Sequence, residues 1–110
     1  MKQRDYHALA AQHMSENDLQ WKVTELATRL GYLIYHTHRS DRSQAGFPDL
    51  AIVGRGRYLM RELKRQGENP TKDQRLWISQ LERANVNVGV WRPADLLSGR
   101  VLAELGGEPS

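Results

Sequence analysis

The sequence predicts an α/β domain, a central mixed sheet flanked by helices. Two segments, 15–30 and 71–84, repeat apolar residues at helical spacing, and four short runs rich in β-branched and aromatic residues lie between and after them. These alternate as helix, three strands, helix, strand, helix, an order that suits a sheet with helices packed on it better than a bundle or a sandwich. The 110 residues fit one domain, and 39% hydrophobic with 26% charged residues is the balance of an ordinary globular chain. No apolar run approaches the roughly 18 residues needed to cross a bilayer. The opening stretch, MKQRDYHALAAQHM, lacks the apolar core of a secretory signal, so the chain is expected to stay in the cytoplasm. The absence of cysteine agrees with that setting and excludes disulfides, thiol nucleophiles and cysteine-based zinc sites.

Residues 1–14 carry Tyr6, Leu9, Ala10 and His13 at helical spacing, which allows a short helix or a frayed arm. Ser15 followed by Asp18 reads as a helix start. Leu19, Val23, Leu26 and Leu30 then share one face until Gly31 stops the helix. YLIYHT (32–37) reads as a strand and RSDRSQAG (39–46) as a loop. DLAIV (49–53), GRG (54–56) and RYLMRELK (57–64) form a β-hairpin, because a short glycine-bearing turn joins two apolar runs. Thr71 and Gln74 make a capping box for a helix whose buried face is Trp77, Ile78, Leu81 and Ala84. VNVGVW (86–91) is the last strand, a single helix is expected over 94–105, and the chain ends in a short tail.

Charge is concentrated in the middle of the chain. Between Arg39 and Arg75, nine basic residues face five acids, a net +4, and twelve of all sixteen basic residues are arginine, whose planar fork suits phosphate oxygens. Such a stripe is the footprint expected for a polyanion such as DNA or RNA, or else a solvated surface. Asp49 and Glu62 lie inside it. Along 57–64 side chains alternate, so Glu62 and Lys64 share a face, and hairpin pairing brings Asp49 to Glu62 near the open end. Two carboxylates and an ammonium then converge. Close like charges call for a divalent cation, and Mg²⁺ takes few carboxylate oxygens along with water and phosphate.

Pro48-Asp49, twelve intervening residues and Glu62-Leu63-Lys64 resemble the PD-(D/E)XK nuclease signature. The fuller string GFPDLAIV…RYLMRELK…TKDQRLWISQLERANVNVGVWRP resembles the virus-type replication–repair nuclease (VRR-Nuc) family over about residues 15–95. The resemblance implies a restriction-endonuclease-like core and a metal-dependent DNA endonuclease. It divides the chain into an arm or short helix (1–14), the nuclease domain (15–105) and a tail (106–110). It also implies that Asp49, Glu62 and the backbone carbonyl of Leu63 hold Mg²⁺ or Mn²⁺, that Lys64 serves the attacking water, and that the products carry a 5′-phosphate and a 3′-hydroxyl. By analogy with junction resolvases it points to branched DNA such as four-way junctions, a phage or prophage setting and a homodimer. A non-catalytic DNA-binding or replication-accessory module, an RNA-processing nuclease, and a monomeric flap or nick nuclease are the competing readings.

An acidic residue on the first helix commonly completes such a site. At 100° per residue from Leu19, Glu16 falls at about 60°, Gln20 at about 100° and Glu25 at about 240°. Glu16 and Gln20 therefore border the buried stripe as candidates, while Glu25 faces away; Glu16 also suits a first-turn position beside the helix dipole. Gln74 matches a site-bracing glutamine of related nucleases, or belongs only to its capping box. His36 and His38 could bind a transition metal, or contact phosphate or end a strand. Arg39, Arg42, Ser43, Lys72 and His36 complete the expected nucleic-acid-binding set. Trp21, at about 200° on the first helix, turns away from the core toward the N-terminal segment or an outside partner.

Overall fold

The computed structural model describes residues 2–37 and 44–107. The N-terminal segment is a helix, α1 (Gln3–His13), docked on a short C-terminal helix with Ala11 buried. In the next helix, α2 (Glu16–Arg29), the Ser15 hydroxyl accepts from the Asp18 N–H at 3.0 Å, which satisfies one free amide of the first turn. Gly31 at φ +92° ends the helix and turns the chain into β1 (Leu33–His36). The hairpin follows as β2 (Leu50–Gly54) and β3 (Arg57–Leu63). Its two turn residues, Arg55 and Gly56, both have positive φ, at 52° and 71°, the geometry whose twist matches paired strands. Helix α3 (Lys72–Arg83) opens with the expected capping box and carries the chain to β4 (Asn87–Trp91).

The sheet order is β1-β2-β3-β4, antiparallel except for the β3–β4 pair, which is parallel and so needs the α3 crossover. On one face Leu50, Ile52, Leu59, Leu63 and Trp91 meet Leu19, Val23 and Ala27 of α2 and the C-terminal Val101 and Leu105. Each of the fully buried leucine, isoleucine and valine side chains contributes about 1.5–3 kcal/mol relative to exposure. Leu33, Tyr35, Val53 and Tyr58, on the alternate positions of β1–β3, are exposed. No helix among the described residues is long and apolar enough to cross a membrane.

Two expectations are corrected. The single helix over 94–105 is two helices, α4 (Pro93–Leu97) and α5 (Arg100–Glu104), because Gly99 sits at φ +89°, which a continuous right-handed helix cannot contain. Arg61, counted in the basic stripe, is only 4% exposed. Its guanidinium lies 4.9 Å over the Trp91 ring, pairs with Glu104 at 3.1 Å and donates to the Asn87 side chain at 2.9 Å. Burial pushes its pKa down, and the Glu104 bond opposes the loss. Arg57 is likewise occupied with the Tyr32 hydroxyl and the Glu104 carbonyl, so the outward-facing stripe is smaller than the sequence count.

Candidate active site

The hairpin register pairs Leu50 with Arg61, which places Asp49, one step toward the open end, across from Glu62. Three contacts fix that aspartate. Its Oδ2 accepts from the Leu63 N–H at 2.7 Å, while Thr37 donates its N–H to the Asp49 carbonyl at 2.8 Å and its hydroxyl to the Pro48 carbonyl at 3.0 Å. Pro48 is fully buried, so the turn into β2 is wedged in place as well as hydrogen-bonded.

Glu62 is 1% exposed, and its Oε2 has no hydrogen-bond partner. Its pKa is pushed up to about 9, first by burial, then by hydrogen bonding to the Asp49 carboxyl and by the charge of Asp49. The Lys64 ammonium opposes this rise and the Glu16 carboxylate adds to it. Asp49, Lys64 and Glu16 are therefore all within electrostatic reach of one buried carboxyl. Lys64, half-buried just past β3, is held by its N–H to the Trp91 carbonyl at 3.1 Å.

A buried carboxyl oxygen without a donor, beside a second carboxylate, has the chemistry of a hard-cation site: a cation would take the place of the proton that keeps the pair from repelling. Among the described residues no group of three or more His, Cys, Asp or Glu side chains is gathered as a ligand set, so the site is a pair, with Glu16 acting at longer range. That suits Mg²⁺, which keeps several of its waters.

The remaining candidates divide. Gln20 is half-buried one turn from Glu16. Glu25 forms an ion pair with Arg29 instead of turning to the site. Gln74 spends its Oε1 on the Thr71 N–H at 2.8 Å and its N–H on the Thr71 hydroxyl at 3.2 Å, so the capping role is present. Lys72 is exposed on the first turn of α3, and His36 lies in β1 across from Leu50. Arg39, Arg42, Ser43 and His38 lie outside the described residues. Trp21 is 66% exposed, and α1 docks on α4 rather than over it.

Sequence reasoning missed Thr37, whose role depends on a carbonyl that only the strand register brings near. It also missed how the GFPD loop is seated. A Cβ on Gly46, at φ +95°, would fall 2.5 Å from the Asp73 main chain, so only glycine lets the loop lie against the start of α3. Next to it the Trp77 indole N–H donates to the Ala45 carbonyl at 3.0 Å, and the Phe47 ring stands edge-on to Trp77 at 5.1 Å. The aromatic residues and the glycine were the available signals.

No family model and no curated protein matches the chain. A solved structure described as a VRR_NUC domain superposes on it with a TM-score of 0.67 and 25% sequence identity, covering 81% of this chain and 94% of that one. The chain has the VRR_NUC fold. The superposition bears out the resemblance drawn from the PD…ExK string and its flanking helices. Within this VRR_NUC fold, Asp49 and Glu62 sit at the open end of the central hairpin, with α2 beginning alongside at Glu16.

Proposed function

We propose that this chain is a Mg²⁺-dependent DNA endonuclease acting on branched DNA, with Mn²⁺ able to substitute. The observation that carries the proposal is the Asp49–Glu62 pair, one oxygen of it buried and partnerless, beside Lys64 at the mouth of the hairpin. Asp49, Glu62 and the Leu63 carbonyl would hold the cation, which when bound acts as a Lewis acid on the phosphodiester and lowers the pKa of water. The Lys64 ammonium would orient the attacking water by donating to its oxygen, and Glu16 and Gln20 would approach that water from the helix side. Lys72, Gln74, His36, Arg39, Arg42 and Ser43 supply contacts to the DNA backbone, and hydrolysis leaves a 5′-phosphate and a 3′-hydroxyl.

One such site cuts one strand. Resolution of a four-way junction takes two cuts in strands of like polarity, which a two-fold homodimer would provide, and the exposed Trp21 is a surface for that contact. A cytoplasmic, phage or prophage setting belongs to this reading by analogy with junction resolvases. The proposal is tested by incubating the protein with duplex, flap, fork and four-way-junction DNA and matched RNA, in Mg²⁺ or EDTA. Cutting of branched DNA in Mg²⁺ alone is expected; cutting that is indifferent to EDTA, or confined to RNA, overturns it.

A further inference from the structure

Beside the GFPD loop lies a groove of about 290 Å³ lined by Gln44, Leu76, Trp77 and Gln80. We propose that it receives one unpaired nucleobase of the DNA, next to the scissile position; this rests on the nuclease reading above and extends it from backbone chemistry to base binding.

The lining is mostly apolar, with a small polar share, which suits the face of a base. Trp77 and Leu76 offer an aromatic and an apolar wall, and stacking on such walls tolerates any base because every base has a π-face. Gln44 and Gln80 each carry an amide, a donor and an acceptor in one plane, matched to the edge of a heterocycle. The indole is fixed beforehand by its bond to the Ala45 carbonyl and by the Phe47 ring, so little ordering is needed when a base enters. Leu76 is 59% exposed, a large apolar side chain left open on the surface of α3.

Two further observations select a nucleotide over another planar apolar guest. Lys72, Leu76, Gln80 and Arg83 fall on one stripe of α3, within about 80° at 100° per residue, so cations stand beyond both ends of the Leu76–Gln80 wall. Lys72 and Arg83 are exposed and make no ion pair among the described residues, which leaves them for phosphates. The groove also lies against the loop that leads into Asp49. Phe47, in ring contact with Trp77, is two residues from Asp49, and two residues span at most about 7.6 Å between Cα atoms. A base seated there would belong to a nucleotide near the bond that Asp49 and Glu62 would address. Such a base must be unstacked, as it is in the single strand of a flap and is not within a closed duplex.

The test is an abasic walk. Flap DNA is prepared with a single abasic nucleotide at each position around the branch, and binding by the wild-type protein is read by fluorescence anisotropy in EDTA, where no cutting occurs. One position is expected to weaken binding about ten-fold when its base is missing. Leu76→Asp and Gln80→Ala, both on the exposed side of α3, should lose that position dependence while retaining the weaker, salt-sensitive binding. A flat walk in the wild type, a walk unchanged by both substitutions, or no binding to flap DNA each overturns the proposal. Cutting in Mg²⁺ is measured separately: a positive walk without cutting leaves the groove assigned and removes the nuclease reading, whereas a flat walk with cutting does the reverse.

Discussion

Asp49 Oδ2 accepts the Leu63 N–H at 2.7 Å, so the carboxylate that leads into one hairpin strand is held by the backbone of the other. Because Leu63 lies between Glu62 and Lys64, this one bond sets the position of Asp49 relative to both. Asp49→Asn keeps an acceptor oxygen for that N–H and should leave the fold intact while removing the charge a cation needs. Its thermal stability is expected to match the wild type within about 1 kcal/mol, and its Mg²⁺-dependent cutting to fall by at least about 10²-fold.

Helix α2 supplies a paired comparison. The Glu16 charge is felt at Glu62, whereas Glu25 pairs with Arg29. Glu16→Gln is expected to depress cutting markedly and Glu25→Gln to leave it near wild type, as read from initial rates on one substrate. Wild-type cutting by Glu16→Gln would mean that Glu16 is a dipole residue alone, and the reverse ranking that the wrong face of α2 was assigned to the site.

The pKa of Glu62 gives the metal-free protein a defined pH dependence. Raised from 4.5 to about 9 by burial and then by Asp49, the group binds a proton more tightly folded than unfolded. Its contribution to stability is therefore full below about pH 4.5 and is lost as pH rises toward about 9. Denaturant titrations in EDTA should show stability falling across that window, and Glu62→Gln should remove most of this slope. Binding of Mn²⁺ near pH 7 should release about one proton, measurable by calorimetry in buffers of different ionisation enthalpy.

Arg61 and Glu104 test the fold rather than the site. Burial alone would raise the Glu104 carboxyl, yet bonds from Arg100, Trp91 and Arg61 hold it below its ordinary value. Glu104→Ala would strand the Arg61 guanidinium, whose Nε already lacks a partner, and is expected to destabilise the domain by about 3 kcal/mol. Arg61→Met with Glu104→Ala should recover a good part of that loss, which a double-mutant cycle by denaturant titration, completed by Arg61→Met alone, would register.

Gly46 connects fold and site. Gly46→Ala meets the Asp73 main chain and a positive φ together, so the GFPD loop must lift from α3. Cutting is expected to fall with the Trp77 environment, the latter seen as a shift in indole fluorescence; a normal rate with normal fluorescence would mean that the loop tolerates the methyl group.

Much of this was legible in the sequence because it is local. Ser15 with Asp18, Thr71 with Gln74, and Arg55-Gly56 between two apolar runs act over three or four residues, and the PD…ExK spacing needs only a hairpin to bring its members together. What escaped notice depends on distant partners. Arg61 reads as a surface cation until β4 and α5 cover it with Trp91 and Glu104, and Thr37 reads as a strand end until Pro48 arrives across the sheet. The break at Gly99 was written in the sequence, but glycine inside a helical pattern is tolerated often enough that the pattern prevailed over it.

The most direct test of the Asp49–Glu62 pair as a nuclease centre is the rate of Mg²⁺-dependent cutting of end-labelled branched DNA by wild type and by Glu62→Gln, with folding of both checked by circular dichroism. The account predicts cutting by the wild type that EDTA abolishes, and a folded Glu62→Gln protein that binds the same DNA and does not cut it. Equal cutting rates for the two proteins would contradict it.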